Sequence, residues 1–437
     1  MKKNTLFILF VCQLFSLVVY AQQQQHNNNK NKLSLADAIK MSLQKSEDLK
    51  IAQQNLRIAQ LDNHKGNAGY LPSATLQMQQ LNQYNRPNLQ TYFVNQTYFQ
   101  NIITPSVQAQ WAVYNGGKNK IMEQQLLINQ QIAQNNLSLQ EQATSQIVTK
   151  QYYIALAEQE KVAILKKIYA LSSRQYDLYQ QRQQRGQVSR YETLLTEQSY
   201  RADDLSLRRQ TIAYEKALAA LCTAIGIVGD PNTYTLSDNL SHASPKQYYY
   251  EAPRTQNPLQ KKWQLNNKLL TQNTLLAKSK QYPTLSLNAG SSLLFNNTKF
   301  KEATAISGSN FDVYVGAMLN MTIYNGGQIK RNIQKAKMEE EVAKLQTQQA
   351  DRQLSAELKS KIAEHDDLVS LMSLSEQNNH ILKSALQLAD QRLQAGLSDI
   401  IEVRNLQMND LQAQLKSIDL WLEIKLLEAD IDYLQQK

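Results

Sequence analysis

Residues 116–127 are GGKNKIMEQQLL. After these two glycines, a long run without glycine or proline extends from Lys118 to Arg185. The whole chain has 13 Gly and 8 Pro, yet Gln, Leu, Ala, Lys and Glu dominate this run. Such a composition predicts one uninterrupted helix. At about 1.5 Å rise per residue, about 70 residues make a rod of roughly 100 Å, far longer than the helices of a compact globular domain. The sequence therefore predicts a protein built around elongated helices.

The long run and its flanking markers occur twice in the chain. A second run without Gly or Pro extends from Gln328 to Ala395. The repeated markers are Tyr114-Asn115-Gly116-Gly117 and Tyr324-Asn325-Gly326-Gly327, Gly186 and Gly396, and Leu71-Pro72-Ser73 and Tyr282-Pro283-Thr284. The first two pairs share one offset, and the third pair differs from it by a single residue. Because loops absorb insertions more readily than helices that must end level, this pattern predicts an internal duplication.

The N-terminus has the pattern of a secretory signal peptide. Lys2 and Lys3 precede an apolar run, and the run closes on Ala21. We therefore predict a signal peptide over residues 1–21 and a disordered Gln- and Asn-rich leader over residues 22–32. A retained membrane anchor is the weaker alternative, because the apolar run is short for a membrane span and a polar tract follows it.

Composition and motif spacing exclude several classes of function. The formal net charge of +10 is dispersed, which indicates a solvated surface and no nucleic-acid partner. After signal removal Cys222 is the only cysteine, and we expect it to be a small buried apolar residue. Gly116-Gly117-Lys118 is not a phosphate loop, because Ala112 and Asn119 stand where the motif needs Gly and Ser or Thr. The five histidines lack metal-ligand spacing. We predict no enzyme, cofactor or metal site.

Two-residue alternation follows each proline marker and predicts strands with one apolar and one polar face. We predict hairpins over about 72–114 and 283–324, with tips near Tyr84–Thr104 and Ser291–Asn310. The residues expected to face lipid are Val107, Trp111, Val113, Phe311, Val313, Val315, Leu319 and Ile323. A strand of about 13 residues, such as the one beginning at Phe311, is long enough to cross a hydrocarbon layer. The alternative is an ordinary sandwich strand with a buried face.

The number of strands decides between these alternatives and points to several copies of the chain. Outside the signal peptide no segment is apolar enough for a membrane helix, so only strands could cross a bilayer. The four strands have no second sheet to pack against, which favours a barrel over a sandwich. Single-chain barrels begin at about eight strands, so closure needs identical neighbours, and three copies would supply about 12 strands.

The helices carry apolar seams at nearly heptad spacing. The predicted spans are about 118–185 and 188–225 in the first copy and about 328–395 and 398–435 in the second. The seam residues are Leu358, Ile362, His365, Val369 and Met372 on the long helix and Met408, Leu411, Leu415, Ile418 and Leu422 on the return helix. Such seams pair antiparallel helices by knobs-into-holes packing. We predict a mainly α protein with antiparallel coiled-coil hairpins and a small membrane β part.

The remaining segments complete the domain plan. A first repeat occupies residues 33–225 and opens with a helix capped by Ser34, with Asp37 in capping-box position, that runs to about His64. The Pro-rich segment 226–258 is a linker with a short strand or helix, and residues 259–437 form the second repeat.

Taken together, these features resemble the TolC family of outer-membrane efflux and secretion channels over about Leu33 to Leu434. The duplicated Tyr-Asn-Gly-Gly with its leading Pro-containing strands is the specific part of the resemblance. It implies a homotrimer with a 12-stranded barrel, about four strands per chain, in outer-membrane lipid. It also implies a long periplasmic α-helical barrel that docks on a periplasmic adaptor protein and, through it, on an inner-membrane pump.

The resemblance also implies roles for the helical turns. Family members close the periplasmic end with acidic side chains beyond the second turn, and the matching positions here are Glu402 and Asn405, of which only the first is acidic. Further gate candidates are Glu192, which lies equally far beyond the first turn, and Asp399. The alternative is that Glu192 and Glu402 are ordinary solvated charges. The predicted adaptor-docking residues are Gly186, Gln187, Val188, Gly396, Leu397 and Ser398. Ser398 replaces a basic residue that the family can carry, so the closing contact differs.

Two other functions explain part of the sequence. An exported coiled-coil structural or adhesion protein would account for the long helices but not for four alternating strands. A periplasmic adaptor would account for a helical hairpin but should lack a membrane-crossing face. The expected function is therefore passive export across the outer membrane, without a defined exported substrate.

Overall fold

The computed structural model describes residues 31–86, 97–227, 229–238, 244–250, 257–301, 304–395, 397 and 399–435. The predicted signal peptide and most of the predicted leader lie outside these residues. The helices are α1 (Leu35–Lys45), α2 (Glu47–Asp62), α3 (Lys118–Gln184), α4 (Arg190–Ile225), α5 (Pro258–Ser279), α6 (Gln328–Gln394) and α7 (Ile400–Gln435). The strands are β1 (Asn31–Leu33), β2 (Ser73–Asn85), β3 (Tyr98–Asn115), β4 (Tyr234–Leu236), β5 (Thr284–Phe300) and β6 (Ile306–Asn320).

The helices agree in length between the two halves of the chain. The long helices α3 and α6 have 67 residues each, and the return helices α4 and α7 have 36 residues each. Each long helix follows an Asn-Gly-Gly segment whose two glycines have positive φ, between 63° and 80°. These φ values favour glycine, which explains why Gly-Gly stands at both positions. The long and return helices begin and end within two residues of the expected bounds.

The predicted first helix is wrong in one respect, because it is two helices. Ser34 caps α1 as predicted, and its Oγ accepts a hydrogen bond from the Asp37 N–H at 3.2 Å. The chain then leaves the helical conformation at Ser46, whose Oγ accepts from the Leu49 N–H at 3.4 Å and so caps α2. Since serine competes with helix hydrogen bonds and favours caps, Ser46 divides the predicted segment.

The sheet of four strands has the order β2-β3-β5-β6, and every neighbouring pair is antiparallel. The two predicted hairpins therefore join through β3 and β5. The predicted tips were too long, because the ladder continues to Asn85–Tyr98 in the first hairpin and to Thr298–Ile306 in the second. Polar residues extend the strands there through paired side chains, such as the Asn101 amide that donates to Asn82 Oδ1.

The end of β6 corrects one predicted strand residue. The ladder between β5 and β6 ends at the pair Thr284–Asn320, and Ile323 lies beyond it. Residue 283 is a proline, which has no N–H to donate, so the partner strand cannot continue. Ile323 is strongly exposed, but it is not part of a strand.

The chain packs as two compact units. The first comprises the described residues up to Lys50, Leu139–Asn257 and Leu354 onwards. Its core is a cluster of helix and strand residues: Leu33, Ala38, Val148, Tyr152, Ala155, Leu156, Ala157, Leu218, Leu221, Ile225, Leu236 and Trp421. In this core the parallel pair β1–β4 lies against α3, since Tyr152 Oη donates to the Leu33 carbonyl at 3.0 Å. The linker, for which a short strand or helix was expected, contains the short strand β4.

The second unit comprises Ile51–Ser138 and Pro258–Gln353, and it contains the whole sheet of four strands. Among the described residues, no helix combines the length and the apolar character needed to cross a membrane. The same residues contain no group of His, Cys, Asp or Glu suited to holding a metal ion. Cys222 is buried, as predicted.

An ionic cluster ties three helices of the first unit together. Asp430 on α7 pairs with Lys150 on α3 and, at 3.1 Å, with Lys361 on α6, and it accepts from the Gln146 amide at 2.6 Å. Burial raises the pKa of Asp430, but the hydrogen bonds from the two lysines outweigh burial, and the net pKa is lowered. The carboxylate therefore stays charged and holds the helices in register.

Candidate functional site

The sheet has one apolar face whose side chains are aligned in rows across the four strands. Starting near the helix-connected end, successive rows are Trp111, Leu287 and Ala317; Ala74, Ala109, Ala289 and Val315; Leu76, Val107, Ser291 and Val313; Met78, Pro105, Leu293 and Phe311; and Gln80, Ile103, Phe295 and Ser309. Many of these side chains are exposed, for example Leu76 at 79% and Val315 at 83%. A contiguous exposed apolar face of this kind marks a surface that contacts lipid or another chain.

The predicted lipid-facing residues lie on this face or at its end. Phe311, Val313, Val315 and Leu319 share one face of β6, and Val107 and Trp111 lie on the same sheet face of β3. Val113 falls where the register between β3 and β5 shifts, and it is half exposed. The lipid role of all these residues stays a prediction. The Trp111 indole N–H donates to the Tyr70 carbonyl at 2.9 Å, which anchors the ring at the start of β2.

The length of the apolar face matches a bilayer. The apolar side chains extend along β5 from Leu285 to Phe295. About ten residues at about 3.3 Å each span about 33 Å, and the usual barrel tilt reduces this to about 25 Å. That height is the height of the outward apolar band in membrane barrels.

The opposite face of the sheet is polar and almost free of charge. Its rows are Ser73, Gln110, Asn288 and Gly316; Thr75, Gln108, Gly290 and Tyr314; and Gln77, Ser106, Ser292 and Asp312. In the described strands, Asp312 is the only acidic residue, and the Asn310 amide donates to both of its carboxylate oxygens at 3.0 and 2.9 Å. Amides and hydroxyls offer hydrogen bonds to water, so this face suits an aqueous lumen.

The two edge strands present pairing surfaces. β2 and β6 each have a single neighbour in the described sheet, and every residue of β6 is exposed. An edge with unpaired backbone groups is a template for another strand. In hydrocarbon those groups must be paired, because water is absent there.

The first helical turn is set by Gly186. Its φ is +72°, its N–H donates to the Gln183 carbonyl at 2.9 Å, and the next N–H, of Gln187, donates to the Arg182 carbonyl at 2.9 Å. This arrangement is a helix C-cap with a left-handed glycine. The predicted docking residues Gly396 and Ser398 lie outside the described residues. Leu397 is 70% exposed, and its N–H donates to the Arg392 carbonyl at 2.8 Å.

We expect Gly186→Ala to destabilise the turn by about 1–2 kcal/mol, because an L-residue in the left-handed conformation is strained. A Cβ at this position would meet nothing within 4 Å, so the cost should come from the backbone alone. Hydrogen exchange of the amides around the turn should be faster in this variant. Gly186→Asn is the control, since asparagine tolerates this conformation better. Equal exchange in wild type and Gly186→Ala would contradict the prediction.

Two of the acidic gate candidates, Glu192 and Asp399, cap the return helices. Ser189 and Glu192 form a capping box, in which the Glu192 carboxylate accepts from the Ser189 N–H at 2.7 Å and the Glu192 N–H donates to Ser189 Oγ at 3.2 Å. Asp399 stands at the corresponding place before α7, and its carboxylate accepts from the Ile401 N–H at 3.3 Å. Glu402 is exposed in the first turn of that helix. The sequence signature Ser-x-x-Glu at Ser189 is the local signal that identifies this cap.

A buried ion pair beyond the turns was missed by the sequence reasoning. Arg404 on α7 lies 2.7 Å from Asp203 Oδ1 on α4, and Asp203 is almost fully buried. The neighbouring gate candidate Asn405 is exposed. The pair joins the two return helices. Each partner lies on its own helix with no local motif, so no spacing in the sequence could identify the contact.

A second buried ionic cluster lies on α7. The Lys425 ammonium donates to both oxygens of Glu428 at 3.0 and 2.9 Å, and both residues are 3% exposed. Glu428 also accepts from the Lys246 N–H at 2.9 Å, and His365 Nε2 lies 3.7 Å from it. His365, which the seam pattern placed among apolar residues, is indeed buried, at 1% exposure. The seam spacing is consistent with this burial, whereas an interpretation of His365-Asp366-Asp367 as a polar helix face is wrong for His365.

These features define a class of protein that combines long antiparallel helices with a sheet of one exposed apolar face and one polar face almost free of charge. Solved structures of channels have the same fold. The chain is similar to the Campylobacter jejuni CmeC outer membrane channel (TM-score 0.74, 15% identity, 92% of this chain and 87% of that chain). It is also similar to the outer membrane protein VceC from Vibrio cholerae (TM-score 0.70, 15% identity, 92% of this chain and 96% of that chain). A third similar structure is the open state of the Neisseria gonorrhoeae MtrE outer membrane channel (TM-score 0.71, 15% identity, 92% of this chain and 88% of that chain).

The family comparison agrees with the fold. Residues 253–430 match the model of the outer membrane efflux protein family. The match supports the resemblance to outer-membrane efflux proteins over this part of the chain, and the structural neighbours are likewise described as outer membrane proteins or channels. A search of curated protein sequences finds no significant match.

Proposed function

We propose that the chain is the outer-membrane component of a tripartite efflux or type I secretion system, through which solutes leave the periplasm passively. The observation that carries this proposal is the exposed apolar face of the sheet, with its height of about 25 Å. An adhesion protein would not need such a face, and a periplasmic adaptor would not expose it. The export energy would come from partners.

Closure of the pore requires a homotrimer in this proposal. Four strands per chain with two free edges would give about 12 strands in three copies, each β6 pairing with β2 of the next copy. Exposed apolar residues at helical spacing support packing between copies along the helices as well. They are Tyr191, Leu194, Leu205 and Ile212 on α4 and Leu371, Leu374, Ile381 and Leu388 on α6. Intervals of seven and three residues within both sets are those of coiled-coil seams.

The helical turns are the proposed docking site for the periplasmic adaptor, and the inner-membrane pump would be reached through the adaptor. Exposed turn residues support this, since Gln187 and Leu397 present side chains that no described contact requires. The internal duplication would then give each chain two similar docking turns. The helices would continue the lumen on the periplasmic side.

Fractionation tests the proposed function. The protein should separate with the outer membrane, resist carbonate extraction and migrate as a trimer in mild detergent. A soluble monomer would reject the channel and favour the adhesion or adaptor alternative.

The gate role of Glu192 and Glu402 can be separated from helix capping. Glu192→Gln with Glu402→Gln removes the charges but keeps capping-box geometry, because glutamine serves at this position too. If three copies place about six carboxylates at one constriction, like charges and bound cations control it. The double variant should then show larger single-channel conductance or weaker block by divalent cations in planar bilayers.

Ser189→Ala is the matched control for the gate. It removes the cap, worth about 1 kcal/mol, but leaves the carboxylate in place. It should therefore change the stability of α4 with little change in cation block. Unchanged currents in the double glutamine variant would reject the gate role and leave capping as the function of these residues.

A further inference from the structure

The basic residues of the two hairpins all lie at one end of the sheet. Between Ser73 and Asn115 the only basic residue is Arg86, and between Thr284 and Asn320 the only ones are Lys299 and Lys301. All three are exposed and stand at the hairpin ends of their strands, far from the ends that connect to helices. None of them forms an ion pair with another residue in the part of the chain that the structure describes. A random scatter of solvated charges would not concentrate at one end.

The strand register brings these three side chains close together. Tyr84, Phe99 and Lys299 form one row across β2, β3 and β5. One step further, the Lys301 N–H donates to the Thr97 carbonyl at 3.2 Å, and Arg86 follows Asn85, the last residue of β2. Arg86 and Lys301 therefore flank Thr97 at a spacing of about 10 Å, two strand separations.

The face on which the cations lie is the apolar face of the sheet. Lys299 shares one face of β5 with Leu293, Phe295 and Asn297, and Arg86 follows Tyr84 by two residues, which places it on the same face of β2. Between the apolar band and the cations lies a row of Asn82, Asn101, Asn297 and Ser307. Polarity along this face thus changes from hydrocarbon to amide and then to cation with exposed aromatic rings. This is the sequence of environments found from the core of a bilayer to its headgroups.

We propose that Arg86, Lys299 and Lys301 bind the phosphate groups of a phosphorylated glycolipid in the outer leaflet. Arginine and lysine form charge-assisted hydrogen bonds with phosphate oxygens, and the exposed rings of Tyr84 and Phe99 offer surfaces for sugar rings. The hairpin ends would face the exterior, so the lipid is one of the outer leaflet. This inference rests on the proposed membrane position of the sheet. We call Arg86, Lys299 and Lys301 the basic rim. Their three positive charges exceed the single negative charge of Glu302, which is next to Lys301 in the sequence.

Lipid binding by purified protein tests the inference. The full-length protein in mild detergent would be incubated with lipid A, with dephosphorylated lipid A or with phosphatidylglycerol, and retained lipid would be counted by native mass spectrometry. The wild type should retain lipid A preferentially. The variant Arg86→Gln, Lys299→Gln, Lys301→Gln should bind lipid A at least about tenfold more weakly, because charge-assisted hydrogen bonds to phosphate are lost.

The control has the same change of charge elsewhere in the same unit. Lys261→Gln, Lys330→Gln, Lys337→Gln alters three exposed helix lysines and should bind lipid A as the wild type does. The inference would be overturned if the rim variant bound lipid A as strongly as the wild type does. It would also be overturned if the wild type bound dephosphorylated lipid A as strongly as lipid A. Equal retention of phosphatidylglycerol, which indicates unspecific attraction, or full displacement by millimolar inorganic phosphate, which indicates a site for a free anion, would overturn it as well.

The membrane position is checked separately in the same preparations. A wild type that carbonate removes from membranes would defeat the proposed function. If the rim variant and the wild type both resist carbonate and bind lipid A equally, the rim inference alone fails.

Discussion

Val313→Lys should prevent stable insertion of the protein into the outer membrane. Val313 lies near the middle of the apolar band, in the row with Leu76, Val107 and Ser291. A lysine facing lipid near the bilayer midplane costs about 2–4 kcal/mol in a membrane barrel. In a trimer the cost would occur three times. We expect little of the variant to resist carbonate extraction, while total synthesis measured by immunoblot remains detectable.

Ser292→Lys is the matched control for this charge. Ser292 lies at nearly the same height on the opposite face, beside Asp312. A lysine there would face water in the proposed lumen and should insert at nearly the wild-type level. Equal loss in both variants would indicate a general folding defect. Normal insertion of Val313→Lys would contradict the assignment of this face to lipid.

Lys425→Met should cause the second large effect, on the stability of the helical unit. Removal of the ammonium leaves the Glu428 carboxylate buried without its cation. Removing one partner of a buried ion pair typically lowers the free energy of unfolding by about 3–5 kcal/mol. The variant should unfold at clearly lower urea concentration, followed by the fluorescence of Trp421, whose ring lies 5.0 Å from the Lys425 ammonium.

The double variant Lys425→Met, Glu428→Gln tests the reason for that loss. An amide at position 428 can still accept from the Lys246 N–H but carries no charge. Because replacing a whole buried pair costs less than breaking it, the double variant should be more stable than Lys425→Met alone. A double variant that is less stable would show that packing, and not the uncompensated charge, sets the cost.

The elements that could be predicted from the sequence are those with a local signal. The absence of Gly and Pro between Lys118 and Arg185 sufficed for α3, and strict alternation identified the strand β6 but not its ends. The turn glycine Gly186 also has a local cause, since its conformation depends on neighbouring residues alone. In contrast, Ser46 divides the first helix through a cap, although no Gly or Pro interrupts the segment there.

The candidate sites were predicted less completely because they depend on tertiary contacts. The alternation assigned Val313 and Phe311 to one strand face, but only the register shows that both hairpins share one apolar surface. The ion pair between Arg404 and Asp203 joins segments far apart in the sequence. Glu192 was chosen for its position beyond the turn, and the structure adds a capping role that competes with the gate interpretation.

The amide and hydroxyl side chains on the polar face of the sheet determine how strongly an exported molecule would interact with the wall of the proposed pore. Such groups exchange hydrogen bonds with any solute and favour neither anions nor cations, apart from one carboxylate per chain at Asp312. A wall of this kind would bind an exported molecule weakly and with little selectivity. The choice of cargo would then belong to whatever loads the conduit, and the same exit could serve several loading machines.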